Sequence, residues 1–311
     1  MKDAEYDVVI AGGGIAGLTA GLTSARAGWK TRVLTGASLG GHLVSIERID
    51  GYPGFPDGIP GYDLCPIIQE QAVGAGAEFA ASEATALHAD GGRWRVTTGQ
   101  GDIWARALVI ATGTTLKTLG VPGEEQLRGK GVSHCASCDA PLLRGRIVGV
   151  VGGGDSALQE ALTLAPHAAR VIIVHRGTAF SAQSAYVQQV QQNPKIEVRF
   201  GTIVEEAIGN GGLNSIRTRS VSDGQIGELE LAGLFVYVGL APATTLLDGL
   251  LALDASGRIP VDGEMRSSVP GLFAVGTVRS GSAGRAASAA GDGATAALSA
   301  DRFVKDGRWS A

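Results

Sequence analysis

Cys135-Ala136-Ser137-Cys138 sets two thiols two residues apart, with the carboxyl of Asp139 directly behind them. Thiols at that spacing either close a small-loop disulfide or bind a metal, and a neighbouring acid can give or take a proton. Zinc is the rival, but a closed zinc site needs four ligands. The chain has no second Cys-x-x-Cys and no His-x-x-x-His, and His134 beside Cys135 does not complete a set alone. Redox chemistry is the favoured reading and no metal is expected. A short helix starting inside residues 135–142 would lower the thiol pKa through its dipole, and Asp139 is equally an ordinary charge at the start of a helix.

Two glycine-rich turns of nearly the same spelling could bring electrons to such a pair. Gly12-Gly13-Gly14-Ile15-Ala16-Gly17 follows the apolar run 6–11, and Gly152-Gly153-Gly154-Asp155-Ser156-Ala157 follows Ile147 to Val151. Each reads as strand, tight turn and helix start, where backbone N–H groups and a helix dipole meet a pyrophosphate. Glycine-rich loops recur in α/β proteins, so the context decides. Leu18 to Ala27 continues in helix formers toward a stop at Gly28, and Thr31 to Leu34 reads as the second strand of a βαβ unit. That strand ends in Thr35, without the acid that holds an NAD ribose, so a flavin dinucleotide fits the first turn better. The economical reading is an electron path from a nucleotide through a flavin to a disulfide.

The elements that must position these groups visit one domain twice. After a helix over Gly61 to Ala75 come strands near Glu78 to Leu87, Arg93 to Thr98 and Ile103 to Ile110, ending at Ala111-Thr112-Gly113. The second βαβ unit has strands at Val171 to Val174, Glu197 to Phe200 and Leu229 to Val236, and helices at Ser156 to Ala165 and Ala182 to Gln191. A last strand at Val269 to Gly276 and a small-residue helix from Ala286 to Val304 are too short for a domain and should return to the first. The expected division is 1–117 and 244–311 for a flavin domain, with 118–243 inserted as a nucleotide-binding domain carrying the cysteines.

Composition agrees. A chain of 311 residues, 44% hydrophobic, can build two domains with real cores, and its 48 glycines are spread among apolar strands, not gathered in a linker. A net charge of -4 without a basic cluster argues against nucleic acid. Met1 to Glu5 runs into the first strand with no signal-peptide core, and no apolar stretch has membrane length, which places the chain in the cytoplasm with no membrane partner. Three cysteines are too few for a structural disulfide framework, and Cys65 is expected to be buried.

With these motifs in this order, the chain resembles the low-molecular-weight thioredoxin reductase family over essentially its whole length. The matching stretches are GGGIAG, Gly40-Gly41-His42-Leu43, Tyr52-Pro53-Gly54-Phe55, Ala111-Thr112-Gly113, Gly131 through Asp139, GGGDSA, His175-Arg176 and Leu272 through Gly276. The resemblance implies an α/β protein of two Rossmann-like, three-layer ββα domains, the second inserted in the first, working as a homodimer. Gly12, Gly14 and Gly17 would hold the FAD pyrophosphate. Gly40, Gly41, His42 and Leu43 would approach the isoalloxazine ring. Thr112, Gly113, Gly276, Thr277, Arg285 and Ala286 would complete the flavin side. Gly152, Gly154, Asp155, Ser156, His175 and Arg176 would form the place for NADPH or NADH. Cys138 would face the flavin, Cys135 would attack the partner disulfide, and Asp139 would serve as the acid. The family also rotates the inserted domain between two arrangements, with hinges expected near Lys117 and at Gly239 to Ala243.

Departures from the family pattern concentrate at the nucleotide sites. Where the family carries His-Arg-Arg and, after three residues, a further Arg for the 2′-phosphate of NADPH, this chain has His175-Arg176-Gly177 and then Ser181. Charge-assisted bonds contribute about 1.5–3 kcal/mol each, so two missing guanidiniums cost about 3–6 kcal/mol, roughly a hundredfold to more than ten-thousandfold in affinity. NADH is not an evident substitute, because no acid closes the strand. Thr277 stands for the family's Asp, Gly51 for its Asn, and Gly284-Arg285 for its Arg-Gln. Three readings follow: a reductase of thioredoxin or a similar small dithiol protein with impaired NADPH recognition; the same relay linked to ferredoxin or to O2 as a dithiol oxidase; or a flavin-based redox sensor, which the complete thiol relay disfavours.

Overall fold

The structure is a computed structural model that describes residues 4–309. Residues 1–3, on which the reading of the N-terminus partly rests, lie outside the described residues. The chain divides into two compact units, one of Met1–Thr115 with Pro242–Ala311 and one of Leu116–Ala241. Among the described residues no helix is long and apolar enough to cross a membrane.

The first unit runs β1 (Ala4–Ala11), α1 (Ile15–Arg26), β2 (Thr31–Leu34), α2 (Gly61–Gly74), β3 (Glu78–Ala80), β4 (Ala84–Asp90), β5 (Arg93–Thr98), β6 (Gly101–Ile110) and β7 (Thr114–Leu116), whose last residue opens the second unit. It closes after the insertion with β17 (Leu272–Ala274) and α6 (Ala286–Asp306). The sheet order is β3-β2-β1-β6-β5-β4, with β17 also on β6. β6 pairs parallel with β1 along one edge and serves two partners on the other: Gly101 to Ala105 pairs antiparallel with β5, and Leu108 to Ile110 pairs parallel with β17. The sheet therefore forks into a parallel layer and a β4–β5 meander. With α1 and α6 these make the expected three layers. The second half of β1, Val8 to Ala11, is an unbroken apolar run because both its faces are covered. Val8 and Ile10 pack with Leu18 and Ala296 toward the helices, while Val9 and Ala11 pack with Trp94 and Val96 of the meander.

The second unit holds β8 (Val132–Ser133), α3 (Ala136–Asp139), β9 (Ile147–Val151), α4 (Asp155–Leu164), β10 (Arg170–Val174), α5 (Ser184–Gln192), β11 (Ile196–Arg199), β12 (Thr202–Gly209), β13 (Leu213–Ser220), β14 (Ile226–Glu230), β15 (Gly233–Val236) and β16 (Leu240–Pro242), whose last residue returns to the first unit. Its parallel sheet runs β11-β10-β9-β15-β8, and β12-β13-β14 form a separate antiparallel sheet. β16 pairs with β7.

Two expected strands are each divided in two. Glu78 to Leu87 is β3 and β4 with a break at residues 81–83, because β3 extends the parallel edge while β4 begins the antiparallel meander. Leu229 to Val236 is β14 and β15, which belong to different sheets; the chain switches at Leu231-Ala232, where Ala232 N–H donates to the Ile147 carbonyl. The hairpin β12–β13 was not anticipated.

α1 and α6 touch through backbone. A Cβ on Gly293 would lie 2.2 Å from the Ala16 carbonyl oxygen and 3.0 Å from the Ala20 nitrogen. Gly293→Ala should therefore push the helices apart and cost about 1–3 kcal/mol, read as a melting midpoint lowered by several degrees. An unchanged midpoint would mean that the helix pair yields freely.

Candidate functional site

The Cys-x-x-Cys segment lies between β8 and β9, and Cys135 and Cys138 are joined as a disulfide with Cα atoms 5.3 Å apart. Cys135 is half-buried and Cys138 exposed. Cys135 N–H donates to Ser133 Oγ at 3.1 Å, Asp139 N–H to the Cys135 carbonyl at 3.3 Å, and Cys135 Sγ sits 3.6 Å from Ser137 Oγ. His134 Nδ1 is 2.9 Å from the Val236 carbonyl, which assigns the ring proton to that nitrogen. The expected dipole is weaker than the sequence suggested. α3 is a single turn of four residues passing into the 3-10 turn Ala140–Leu143, too short for peptide dipoles to add up, and Asp139 closes the helix instead of opening it. The first N–H inside it, that of Ala136, donates to Glu160 Oε2 at 3.2 Å. Sequence reasoning missed Glu160, which lies on α4. Cys65 is buried as expected, and burial pushes its thiol up to about 11.

The first glycine turn is built by close backbone approach. Gly12 has φ 124°, and a Cβ there would meet the Ala111 carbonyl oxygen at 2.1 Å; one on Gly17 would meet the Gly12 carbonyl oxygen at 2.0 Å. Gly14 differs, since a Cβ there would meet nothing within 4 Å. Gly14 caps α1 without a side-chain bond, and the first turn carries no acid. The first N–H groups of a helix have no partner within it, and the space beside the Gly14 Cα is open. Gly40 N–H donates to the Gly13 carbonyl, which lays Gly40 and Gly41 along the turn. These residues fit a dinucleotide pyrophosphate.

Beside the turn, His42 Nε2 bonds the Thr114 carbonyl, Thr114 Oγ1 lies 3.4 Å from Thr277 Oγ1, and Thr112 Oγ1 donates to the Ala243 carbonyl at 2.8 Å. The Thr277 hydroxyl thus stands next to Gly113. Leu43 packs against the core that contains Ile15 and Cys65. Arg285 is exposed and precedes Ala286, the first residue of α6. Two residues that the sequence reading did not single out hold Gly276. Asp292 is buried and accepts Gly276 N–H at 3.0 Å, while the Arg279 guanidinium forks onto both its oxygens at 2.7 Å. A charged pair on α6 and its preceding loop thus fixes the backbone that carries Thr277.

The second turn repeats the backbone design. Gly152 has φ 145° and lies against the Tyr237 carbonyl and the Ala157 methyl, and Gly154 caps α4 without a side-chain bond. The segment after β10 folds onto it. The His175 ring covers Gly153 and its Nε2 donates to the Ala179 carbonyl at 3.1 Å; Ser181 donates both N–H and hydroxyl to the Gly153 carbonyl, at 2.9 and 3.2 Å. Asp155 accepts the backbone and side-chain N–H of Gln183 at 2.7 and 3.0 Å. Ser156 and Arg176 are exposed. Arg176 is the sole guanidinium of the 175–183 segment.

The family model for pyridine nucleotide-disulphide oxidoreductases matches residues 6–293. A thioredoxin reductase of Listeria innocua is 39% identical over 97% of this chain and 94% of its own length, and one of Treponema pallidum is 36% identical over 97% and 98%. The crystal structure of a thioredoxin reductase of Lactococcus lactis superposes with a TM-score of 0.94 at 36% identity, covering 96% of this chain and 99% of that one.

Three replacements separate the roles of the glycines. Gly14→Ala points a methyl into the open space where the pyrophosphate would lie and should keep the fold while weakening FAD binding. Gly14→Asp should keep the fold but lose most FAD, because a carboxylate repels the pyrophosphate. Gly12→Ala should damage the fold itself. Absorbance at the flavin band together with the melting midpoint distinguishes the three, and full FAD content in Gly14→Asp would remove the assignment of this turn.

Proposed function

The chain belongs to the low-molecular-weight thioredoxin reductase family of pyridine nucleotide-disulphide oxidoreductases, and from that premise we propose that it reduces a small thioredoxin-like dithiol protein with weakened dependence on NADPH. The family membership makes it an FAD-dependent disulfide oxidoreductase. The observation that carries the reading is the Cys135–Cys138 disulfide in the unit that also holds the second glycine turn.

Bound FAD supplies two-electron transfer to the disulfide. The chain's own groups do the rest. Reduction breaks the S–S bond and, with two electrons and two protons, leaves two thiols. Cys135 as thiolate attacks the partner disulfide and forms a mixed disulfide, releasing one partner thiol; Cys138 then attacks Cys135, restoring the internal disulfide and freeing the partner as a dithiol. Asp139, half-buried and next in sequence to Cys138, is the proton carrier for these steps. Gly12, Gly14 and Gly17 would hold the cofactor pyrophosphate, and Gly276 and Thr277 would help to hold the rest of the flavin.

The coenzyme side supports weak discrimination. Gly177 and Ser181 supply no positive charge, and the Ser181 hydroxyl is already committed to the Gly153 carbonyl. Arg176 alone cannot form the fork that several guanidiniums give to a 2′-phosphate. Electrons arriving from ferredoxin, or leaving to O2, are the competing routes.

Anaerobic mixing with NADPH or NADH while the flavin band is followed is the decisive experiment. Neither coenzyme should bleach the flavin efficiently at micromolar concentration, while dithiols should do so through Cys138. Gly177→Arg with Ser181→Arg should improve NADPH reduction at least about tenfold. The arginine at 177 also requires the His175 ring to move, since a Cβ there would lie 2.8 Å from Nε2. Rapid bleaching of the wild type by NADPH would return the chain to the ordinary reductases. A double variant that does not respond would favour the ferredoxin or oxygen route.

A further inference from the structure

A second set of ionisable groups lies under the redox pair, and the exchange chemistry above does not use it. Ala136 is fully buried, and its N–H, the first after Cys135, points at the Glu160 carboxylate. Tyr237 follows directly on β15 and is 9% exposed. Its hydroxyl is buried without a hydrogen-bond partner at ordinary distance. It nonetheless stands close enough to Glu160 to respond to it: burial raises the phenol pKa, and the Glu160 charge raises it further, with a smaller contribution from Asp139. A buried hydroxyl left without a partner is costly unless it serves something nearby. Here the nearby group is a carboxylate one peptide away from the attacking thiol.

We propose that Glu160 is a positioning residue for the redox pair: the carboxylate fixes the peptide after Cys135, and its negative charge restrains ionisation of the thiols formed on reduction. The inference rests on the reading that Cys135 and Cys138 cycle between disulfide and dithiol. A thiolate that forms beside a fixed carboxylate is disfavoured by like charge. A dithiol whose thiolate is not stabilised is the stronger reductant, since a disulfide becomes oxidising when its reduced form is stabilised. Four other groups share this neighbourhood: Cys138 and Asp139 on α3, the hydroxyl of Ser137, and His134, whose Nδ1 proton is tied to the Val236 carbonyl. Of these only Asp139 is a second carboxylate, and as the proton carrier of the exchange steps it is not a fixed charge.

The test uses the full-length FAD-loaded protein, reduced anaerobically with dithiothreitol and desalted. Alkylation of Cys135 by iodoacetamide is followed against pH by mass spectrometry. Glu160→Gln keeps an oxygen for the Ala136 N–H but removes the charge. Its alkylation midpoint should move to lower pH, with alkylation below the midpoint roughly threefold faster than wild type. Tyr237→Phe, which leaves the carboxylate and its bond to Ala136 in place, should keep the wild-type midpoint, and the double variant should follow Glu160→Gln. A redox titration against dithiothreitol should show the Glu160→Gln pair to be more oxidising. A folded Glu160→Gln protein with an unchanged midpoint overturns the proposal, because a purely structural role predicts that result. A wild-type disulfide that dithiothreitol cannot open overturns it together with the proposed function. The expected midpoint shifts in a protein that passes no electrons to thioredoxin would sustain this inference and overturn the functional reading alone.

Discussion

The first unit depends on peptide groups that meet with no side chain between them. Gly12 lies on Ala111, Gly17 on the Gly12 carbonyl, and Gly293 on the Ala16 carbonyl. These contacts pin the start of α1 between the β1–β6 edge and α6, so the N–H groups of its first turn have a fixed direction before any ligand arrives. Preorganised donors bind an anion without first giving up conformational freedom. The same stretch of α6 does a second job. Asp292, next to Gly293, grips Gly276 N–H and Arg279, so one helix sets both the phosphate turn and the loop carrying Thr277. Because the ion pair is buried, its two members must be kept together; removal of either leaves an uncompensated charge.

The second unit uses the same architecture with different surroundings. In the first unit the residue after the second strand, Thr35, packs on Gly13; in the second, His175 packs on Gly153. Thr35 is small and turns its hydroxyl to backbone carbonyls. His175 brings Phe180 and Phe200 into an aromatic cluster, with ring centroids 4.8 Å apart for the two phenylalanines. The bonds from Ser181 and Gln183 then tie the following segment to the turn. That segment is held by its own contacts, and Arg176 is its sole guanidinium.

What could be read from the sequence was local. Strand, turn and helix starts at Gly12 and Gly152 are written in consecutive residues, and the disulfide pair in four. The β12–β13 hairpin was equally local, with Asn210-Gly211 as its signal, but alternation in Thr202 to Gly209 is interrupted by Glu205-Glu206, where the ladder itself slips register. Leu229 to Val236 reads as one strand because nothing in its composition marks the change of sheet at Leu231-Ala232. The groups that tune the sites were not legible, because topology alone brings them together. Glu160 reaches Ala136 across 24 positions and Asp292 reaches Gly276 across 16, each from a helix face whose other residues are unremarkable core.

The two electrostatic features of the second unit are connected by thermodynamics. A single-turn helix cannot supply the dipole that lowers thiol pKa in longer helices, so the thiols answer to the groups nearest them, of which Glu160 holds the peptide after Cys135. If that carboxylate holds the reduced pair in its thiol form, the pair is a strong reductant, and closing the cycle requires a correspondingly strong electron donor. The loop that would bind NADPH offers one guanidinium where the family pattern has three. On the proposed reading, in which the donor site is weakened, such a dithiol either saturates that site at high coenzyme concentration or is fed by another low-potential carrier. The affinity of the 175–183 segment for a 2′-phosphate decides between them.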